Sequence, residues 1–465
     1  MTVELTCRAD VDLAAFRRVA WSGEEVAIAP AALELIGDRR RRFEAFLDAN
    51  PQRRFYGINV HAGDGSHRAL DEAARRDYAR GLHSAISFGA PLPRRVVRGI
   101  VLARLTNFVE GHSGVTPGLA TAVAAMLDDG APPLPDVPAH GNGGSGEIAA
   151  LGALFGSLGA QRELALKESM SLVNGSPCAA ALIADAALCA EDLIAWAQRL
   201  FGLAAVAYGV APTIFDERLD ELWGDPFQAR ALRTLREQLP AVDAPGAGHV
   251  QPPVSFRIIP RVLGNALRVL DQVRAAATRS LSAVSDNPTL LFDGAELVDI
   301  VSTGGFHNGA AAPAIDALSA TVADLAGLAL HELHRLQESR EALPQFDSTN
   351  LGILQMAANG YAEEARGACV PSLLGLGGRG QNDVPSPSFI AFDRYRRVHG
   401  FAAGTLACLA CIAYQSLSQT GRAAPPALVD THAAIAQLSP PLSERRSLGP
   451  ELASLSGLLT SGIPA

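Results

Sequence analysis

Apolar residues recur at helical spacing along several long stretches of the chain that contain few helix breakers. Alanine and leucine dominate these stretches, and both residues favour helix. The spacing predicts long helices over 178–209, 261–284, 309–341, 350–369 and 389–421. Strand signals are sparse, and the best is "TLLFDGAELVDI" at 289–300, where Asp293-Gly294 separates two apolar runs as a tight hairpin turn. The pattern predicts a mainly α protein whose long helices pack as a bundle.

Loops rich in glycine and proline interrupt the helical pattern at four places. They span 131–144, 243–255, 302–309 and 374–388. Loops on a rigid scaffold often carry functional side chains, so these segments are candidate site loops. A boundary near residue 190 divides a loop-rich N-terminal region, 1–190, from a region of long helices, 191–465.

Composition and charge restrict the class of partner. Hydrophobic residues make up 48% of the 465 residues and charged residues only 19%, so we expect apolar burial within each subunit and between subunits of an oligomer. The net charge of −9 argues against a nucleic-acid partner. The N-terminal sequence has no basic segment followed by an apolar stretch, and no uncharged run predicts a membrane span. We therefore expect a cytoplasmic protein.

Cysteine and histidine clusters predict neither a redox site nor a metal site. Cys408 and Cys411 form a C-x-x-C inside an apolar helical stretch, without the strand of a redox motif, so we expect buried core thiols. His331, Glu332 and His334 lack the H-E-x-x-H spacing that places two histidines on one helix face. We expect no metal cofactor.

The loop "GNGGSGEIAAL" at 141–151 could serve two different chemistries. Gly141, Gly143 and Gly146 match the G-x-G-x-x-G spacing of dinucleotide-binding loops. Such a loop requires a buried strand before it, whereas the preceding "APPLPDVPAH" contains four prolines, which cannot donate ladder hydrogen bonds. A nucleotide site is therefore disfavoured.

The second chemistry belongs to the tripeptide Gly144-Ser145-Gly146 itself. Attack of the Gly146 nitrogen on the Gly144 carbonyl carbon closes a five-membered ring, and loss of water there and from Ser145 leaves a conjugated exocyclic methylene, an electrophile. Glycine suits the attacking position because, lacking Cβ, it permits a close backbone approach. Serine supplies the hydroxyl that is eliminated. On its own the tripeptide does not distinguish this chemistry from a flexible loop.

Several further segments surround this loop in a fixed order. They are "FYGIN" at 55–59, "SGVTP" at 113–117, "KESMSLVNGS" at 167–176, "VQPPVSFRIIPRVLG" at 250–264, "SDNP" at 285–288 and "GGFH" at 304–307. With "GSGEIAALGAL" at 144–154 they resemble the aromatic amino-acid ammonia-lyases, the family of histidine, phenylalanine and tyrosine ammonia-lyases. The resemblance implies a methylidene-imidazolone formed autocatalytically from Gly144-Ser145-Gly146, with no metal and no nucleotide.

The resemblance also implies roles for individual residues. Tyr56, in the segment similar to the family's Y-G-I-N, is the expected catalytic base, and Asn174 lies where the family has an active-site asparagine. Arg257 is the expected partner of the substrate carboxylate, because its planar guanidinium offers two parallel charge-assisted hydrogen bonds. Gln251 maps onto a substrate-pocket position, and Phe306 is expected to pack near the ring.

The residues implied to contact the aromatic side chain of the substrate favour tyrosine. His83 and Ser84 stand in the order found in tyrosine ammonia-lyases, the reverse of that in the histidine enzymes, and Asn382 replaces a glutamate of the histidine enzymes. We expect elimination of ammonia from tyrosine, or next from phenylalanine, to give a trans-arylacrylate such as p-coumarate. The alternatives are an aromatic amino-acid 2,3-aminomutase, a histidine ammonia-lyase and a catalytically silent family member.

The architecture implied by the resemblance is the long-helix bundle of the ammonia-lyase (fumarase/aspartase-like) type. It forms a homotetramer whose active sites combine loops of three subunits. This chain departs from the family's pattern at Gly144 (usually alanine), Glu147 (aspartate), Val254 (tyrosine) and "VHAGDG" at 60–65. Ring closure uses the carbonyl of residue 144 and not its side chain, so cyclisation is expected to tolerate Gly144. Valine at position 254 cannot form a hydrogen bond or transfer a proton.

Overall fold

Most of the chain is α-helical. The computed structural model describes residues 2–71, 74, 85–239, 251–345, 349–378 and 380–461, with the exception of the Ala160 side chain. The α-helices in chain order are α1 (Leu13–Phe16), α2 (Pro30–Ala49), α3 (Arg94–Val109), α4 (Pro117–Ala124), α5 (Ile148–Gln161), α6 (Glu168–Val173), α7 (Pro177–Tyr208), α8 (Leu219–Leu222), α9 (Pro226–Gln238), α10 (Val254–Arg257), α11 (Ile259–Ser282), α12 (Ala311–Glu338), α13 (Leu354–Ala368), α14 (Ser388–Thr420), α15 (Val429–Leu438) and α16 (Gly449–Thr460). Shorter 3-10 turns include Gly63–Gly65 and Asn350–Ile353.

The long helices predicted from the apolar spacing are confirmed. Helices α7, α11, α12 and α14 reproduce four of the predicted ranges to within a few residues, and the fifth is the turn Asn350–Ile353 followed by α13. Local chemistry sets the ends of α7. Pro177 begins it, where a missing N–H costs nothing, and Gly209 follows it with a φ of +82° in the left-handed region that glycine favours.

The predicted hairpin is also confirmed. Strands β3 (Thr289–Asp293) and β4 (Glu296–Val301) pair antiparallel, with Thr289 opposite Val301, and Gly294 turns the chain at a φ of +54°. A second pair, β1 (Thr2–Leu5) and β2 (Glu25–Ile28), is parallel and was not predicted. Each of its strands has only four residues, too few for an alternating pattern to stand out.

The chain folds into two compact units, each assembled from separate segments. The first comprises Met1–Asp185, Arg274–Ile315 and Pro371–Asp393. The second comprises Ala186–Val273, Asp316–Val370 and Arg394–Ala465. The first unit therefore contains two segments that lie beyond the boundary at residue 190 expected from the sequence.

In the first unit, a hydrophobic cluster supports the segment that carries Tyr56. Phe55 and Ile58, on either side of Tyr56 and Gly57, are buried against Phe43 of α2 and against Leu290 and Ile300 of the hairpin. Because the neighbours of Tyr56 are anchored in this core, the tyrosine has a defined place at its surface.

In the second unit, both cysteines of the C-x-x-C and the glutamate of the H-E-L-H segment lie in the core, whereas His331 is exposed. Cys408 and Cys411 are fully buried free thiols, as predicted, and burial raises their pKa values to about 12 and about 11. Glu332 of α12 is completely buried, and burial raises its pKa well above the ordinary value. Neither of its carboxylate oxygens has a hydrogen-bond partner within the described ranges.

Candidate active site

The loop 141–147 lies between a proline-rich segment and helix α5. Residues 131–143 contain no β-strand, only an isolated bridge between Pro91 and Pro138, and α5 begins at Ile148. The strand that a dinucleotide-binding loop requires is therefore absent from this described segment. The glycines of the loop must be explained by their backbone conformation.

The tripeptide Gly144-Ser145-Gly146 is held in a compact arrangement. Ser386 donates its backbone N–H to the Gly144 carbonyl oxygen at 3.0 Å. A Cβ placed on Gly144 would lie 3.0 Å from the Gly146 carbonyl oxygen, so the first and third residues of the tripeptide approach each other closely. The Ser145 hydroxyl is buried and has no hydrogen-bond partner in the described part of the chain.

These features fit the ring chemistry expected from the sequence. The carbonyl that would be attacked accepts a hydrogen bond, which polarises it toward a nucleophile. The hydroxyl that would leave is not held by any described neighbour. A buried hydroxyl without a partner costs free energy, and elimination of the hydroxyl would remove that cost.

Glu147 connects the loop to the start of α7. Its carboxylate oxygens accept hydrogen bonds from the backbone N–H groups of Cys178 and Ala179, both at 2.6 Å. These donors lie in the first turn of α7, where N–H groups have no partner within the helix. Burial raises the pKa of Glu147 to about 7, although the two N–H donors oppose the shift.

Tyr56 is half-buried, and its hydroxyl oxygen accepts a hydrogen bond from a backbone amide. The donor is the N–H of Gly63, at 2.9 Å, in the 3-10 turn Gly63–Gly65. Asn59 stabilises the same segment, because its side chain accepts from the Phe55 N–H at 2.6 Å and donates to the Arg53 carbonyl at 2.7 Å. This hydrogen bond fixes the position of the phenol oxygen, the atom that would accept a proton if Tyr56 acts as a base.

Met170 lies between the Tyr56 segment and Asn174. Gly57 has a φ of +65°, and a Cβ there would come within 2.8 Å of Met170 Cε. Asn174 is buried, and its side-chain amide nitrogen lies 3.4 Å from Met170 Sδ. Met170 thus contacts Asn174 and approaches Gly57, the residue that follows the predicted base.

Buried charges support the segment that carries Asn174. Lys167 and Asp286 form a fully buried ion pair at 2.7 Å, and the Lys167 ammonium also donates to Ser171 Oγ at 2.9 Å. The fully buried Arg104 donates to the Ser171 carbonyl oxygen, and its Nη2 would lie 2.6 Å from a Cβ on Gly175. Only glycine at position 175 leaves room for this guanidinium.

Phe306 and Asn382 also lie beside these loops. Phe306 Cδ2 is 3.8 Å from the position of a Cβ on Gly146, so the predicted ring neighbour does border the tripeptide. The exposed Asn382 has its amide nitrogen 3.8 Å from the position of a Cβ on Gly63, the residue that donates to Tyr56. The neighbouring Gln381 donates its backbone N–H to Asp64 Oδ1 at 3.3 Å.

Gln251 and Arg257 belong to the second unit, and both are exposed. Arg257 Nε donates to the Pro252 carbonyl at 3.0 Å, and its terminal nitrogens have no partner among the described residues. Val254 is 57% exposed and borders a cavity of about 360 Å³ with Ser255, Ile258 and Arg335. His83 and Ser84 lie outside the described residues, so their predicted substrate contacts stay predictions.

The structure adds residues to the site that the sequence did not single out. Met170 could have been suspected, because it precedes Asn174 by four positions, a spacing that places two residues on one helix face. Arg104 and Asp286 had no comparable signal, since their pairing partners are distant in the chain. Ser386 acts through its backbone amide, which every residue except proline possesses.

The chain is similar to known proteins in both sequence and fold. A sequence profile of the family described as aromatic amino acid lyase matches residues 11–164 and 159–439. A histidine ammonia-lyase from Anaeromyxobacter dehalogenans is 30% identical over an alignment of 502 positions, gaps included, which covers 96% of each chain. Among solved structures, tyrosine aminomutase from Streptomyces globisporus has a TM-score of 0.86 at 21% identity and covers 99% of this chain and 97% of its own. Ergothionase from Treponema denticola has a TM-score of 0.88 at 20% identity and covers 99% of both chains.

Proposed function

Because this chain belongs to the aromatic amino acid lyase family, we propose that it eliminates ammonia from an aromatic L-amino acid without oxidation. We favour tyrosine, followed by phenylalanine, with a trans-arylacrylate such as p-coumarate as the product. The observation that carries the proposal is the presence in one compact unit of Tyr56, Asn174 and a Gly-Ser-Gly tripeptide whose serine hydroxyl is buried without a described partner.

The prosthetic group in this proposal is a methylidene-imidazolone made from Gly144, Ser145 and Gly146. It supplies an electrophile to the substrate, whose amine is otherwise a poor leaving group. The polarised Gly144 carbonyl and the Ser145 hydroxyl, which has no hydrogen-bond partner among the described residues, fit such a group.

Tyr56 removes the proton from the β-carbon of the substrate. The C–H electron pair then forms the new double bond, and the bond from the α-carbon to nitrogen breaks, so no oxidant or reductant is needed. The Gly63 N–H, at 2.9 Å from the tyrosine oxygen, holds that oxygen in place. The Asn174 amide, anchored by Met170, is a neutral donor for positioning the substrate.

Arg257 binds the substrate carboxylate, and Gln251 lies in the same exposed segment. The terminal nitrogens of Arg257 have no described protein partner and are available for a bidentate contact. We propose that these two residues serve the active site of a neighbouring copy in a homotetramer. The 48% hydrophobic and 19% charged composition supports an oligomer, and we also propose a cytoplasmic location.

The preference for tyrosine rests on His83, whose ring can form a hydrogen bond with a phenol hydroxyl, and on Asn382. A site built to bond a substrate hydroxyl rejects an analogue that lacks it. One observation favours a second candidate, histidine ammonia-lyase activity: the Anaeromyxobacter relative of that name aligns over 96% of this chain. An aminomutase reaction would use the same residues and return the amine to the β-carbon.

Two measurements on the purified full-length protein test the proposal. Its intact mass should fall short of the sequence mass by two waters, and the full sequence mass would remove the electrophile from the mechanism. Incubation with tyrosine, phenylalanine and histidine in turn should produce ultraviolet absorbance of a conjugated acrylate, strongest with tyrosine. Absorbance only with histidine would favour the second candidate, and β-tyrosine without lasting absorbance would indicate an aminomutase. No turnover of any of the three would contradict the proposal, and the Tyr56→Phe variant serves as the matched inactive control.

A further inference from the structure

We propose that the backbone amide of Ser386 activates the Gly144 carbonyl for ring closure, so that the segment 384–387 positions the precursor for maturation. The inference rests on the proposed function, because it concerns how the electrophile is made. Its central observation is the 3.0 Å hydrogen bond from the Ser386 N–H to the Gly144 carbonyl oxygen.

Negative charge develops on the Gly144 oxygen during ring closure. The Gly146 nitrogen forms a bond to the Gly144 carbonyl carbon, and the carbonyl π pair moves onto oxygen, which takes up the proton released by nitrogen. The resulting hydroxyl leaves as water with the proton of the Ser145 nitrogen. A second water forms from the Ser145 hydroxyl and the Ser145 α-hydrogen, so two waters are lost and no redox partner is needed. A fixed donor at the Gly144 oxygen stabilises the first step most strongly.

The glycine at position 144 is consistent with this role. A Cβ there would lie 3.0 Å from the Gly146 carbonyl oxygen, closer than side-chain carbons normally come to a backbone atom. Glycine therefore lets the first and third residues of the tripeptide approach each other while the carbonyl of the first stays bonded to Ser386. Ser386, which lies outside the tripeptide, thus holds the reacting Gly144 carbonyl in the compact turn.

The donor itself is rigidly placed. Ser386 is 7% exposed and lies between Pro385 and Pro387, which restrict the backbone on both sides. Its hydroxyl lies 3.2 Å from Ser388 Oγ at the start of α14. A donor held in place before the reaction needs no reorganisation as charge develops, which is the condition for strong electrostatic stabilisation.

Two substitutions at position 386 separate the amide from the side chain. Ser386→Ala removes the hydroxyl and keeps the N–H, whereas Ser386→Pro removes both and suits a position already flanked by prolines. The loss of two waters should be followed by intact-mass spectrometry after cell-free synthesis of the full chain. We expect Ser386→Ala to mature as the wild type does, and Ser386→Pro to mature at least about tenfold more slowly, since single oxyanion donors contribute about a hundredfold or more in catalysis.

Circular dichroism and the oligomeric state establish whether Ser386→Pro has folded. If it folds and loses both waters at the wild-type rate, the inference is wrong, although the proposed function stands. If it does not fold, an ester analogue at position 386, with an α-hydroxy acid in place of serine, removes the same N–H without the proline ring. Slower maturation of this analogue would support the inference, and maturation at the wild-type rate would contradict it. A wild-type protein that keeps the full sequence mass would instead contradict the proposed function.

Discussion

Gly63 donates its backbone N–H to the hydroxyl oxygen of Tyr56 at 2.9 Å. Gly63 belongs to "VHAGDG", a segment in which this chain departs from the pattern of its family, yet the departure still provides a donor for the expected base. Its neighbour Asp64 accepts from the Gln381 N–H, so one short turn contacts both the base and the loop that carries Asn382. The Tyr56 segment and the 380–383 segment are therefore connected by hydrogen bonds through the turn Gly63–Gly65.

Tyr56→Phe should lower kcat by about a hundredfold or more, because it removes the proposed proton acceptor and keeps the aromatic ring. The intact mass of the variant should still be two waters short, since Tyr56 does not contribute to ring closure. Steady-state kinetics and mass spectrometry on one preparation check both expectations. Activity close to that of the wild type would exclude Tyr56 as the base.

Gly380→Ala should disturb the connection between Asp64 and the 380–383 segment. Gly380 has a φ of +61°, and a Cβ there would overlap the Asp64 carboxylate. We expect kcat/KM to fall about tenfold, equivalent to about 1.4 kcal/mol. The double variant Asp64→Ala/Gly380→Ala removes the overlap and should recover part of the loss. Equal activity of the single and double variants would show that the overlap has no effect on the site.

Met170→Ala should destabilise the protein by about 2–5 kcal/mol, because a buried side chain that packs against Gly57 and Asn174 is lost. Met170→Leu preserves the volume and removes the sulfur contact with Asn174, and should cost less than about 1.5 kcal/mol. Thermal unfolding measures the stability, and kcat at a temperature where both variants are folded measures the effect on the site. Equal stability of the two variants would contradict the assigned packing role.

Glu147 should make stability depend on pH. Its pKa is raised by burial from 4.5 to about 7, so between these values the unfolded chain ionises first and the folded protein keeps the proton. The contribution to stability is complete below pH 4.5 and is lost as the pH rises through about 7, by about 3 kcal/mol in total. Glu147→Gln removes this loss. Chemical unfolding of both proteins at pH 5 and pH 8 should show a smaller decrease for the variant, and parallel curves would contradict the shifted pKa.

His83→Phe should shift selectivity from tyrosine toward phenylalanine, because the hydrogen bond to the phenol hydroxyl is lost. The expected change in the ratio of the two kcat/KM values is at least about tenfold, as for the loss of a buried hydrogen bond. Ser84→Ala is the neighbouring control and keeps His83. An unchanged ratio in His83→Phe would remove this residue from the selectivity of the site.

The bounds of the long helices followed from the spacing of alanine and leucine, and the hairpin followed from Asp293-Gly294 between two apolar runs. Both features depend on neighbours within a few positions, which the sequence displays directly. The pair of strands Thr2–Leu5 and Glu25–Ile28 escaped prediction, because a parallel pair joins segments separated by other structure. The division into two units was also inaccessible, since each unit collects segments that are distant in the chain.

The sequence by itself named the candidate groups for chemistry, through the resemblance of their segments to one family: the tripeptide Gly144-Ser145-Gly146, the expected base Tyr56 and the amide of Asn174. The chemistry open to each group is a property of residue type and local backbone freedom, and its role in a site was implied by the resemblance. Only the tertiary structure decided what surrounds them. It placed the Ser386 amide on the Gly144 carbonyl, Met170 between Gly57 and Asn174, and the Gly63 amide on the Tyr56 oxygen. Such contacts arise from packing between segments that are mostly remote in sequence. Two of them use backbone amides, which every residue except proline has, so the residue type does not reveal them.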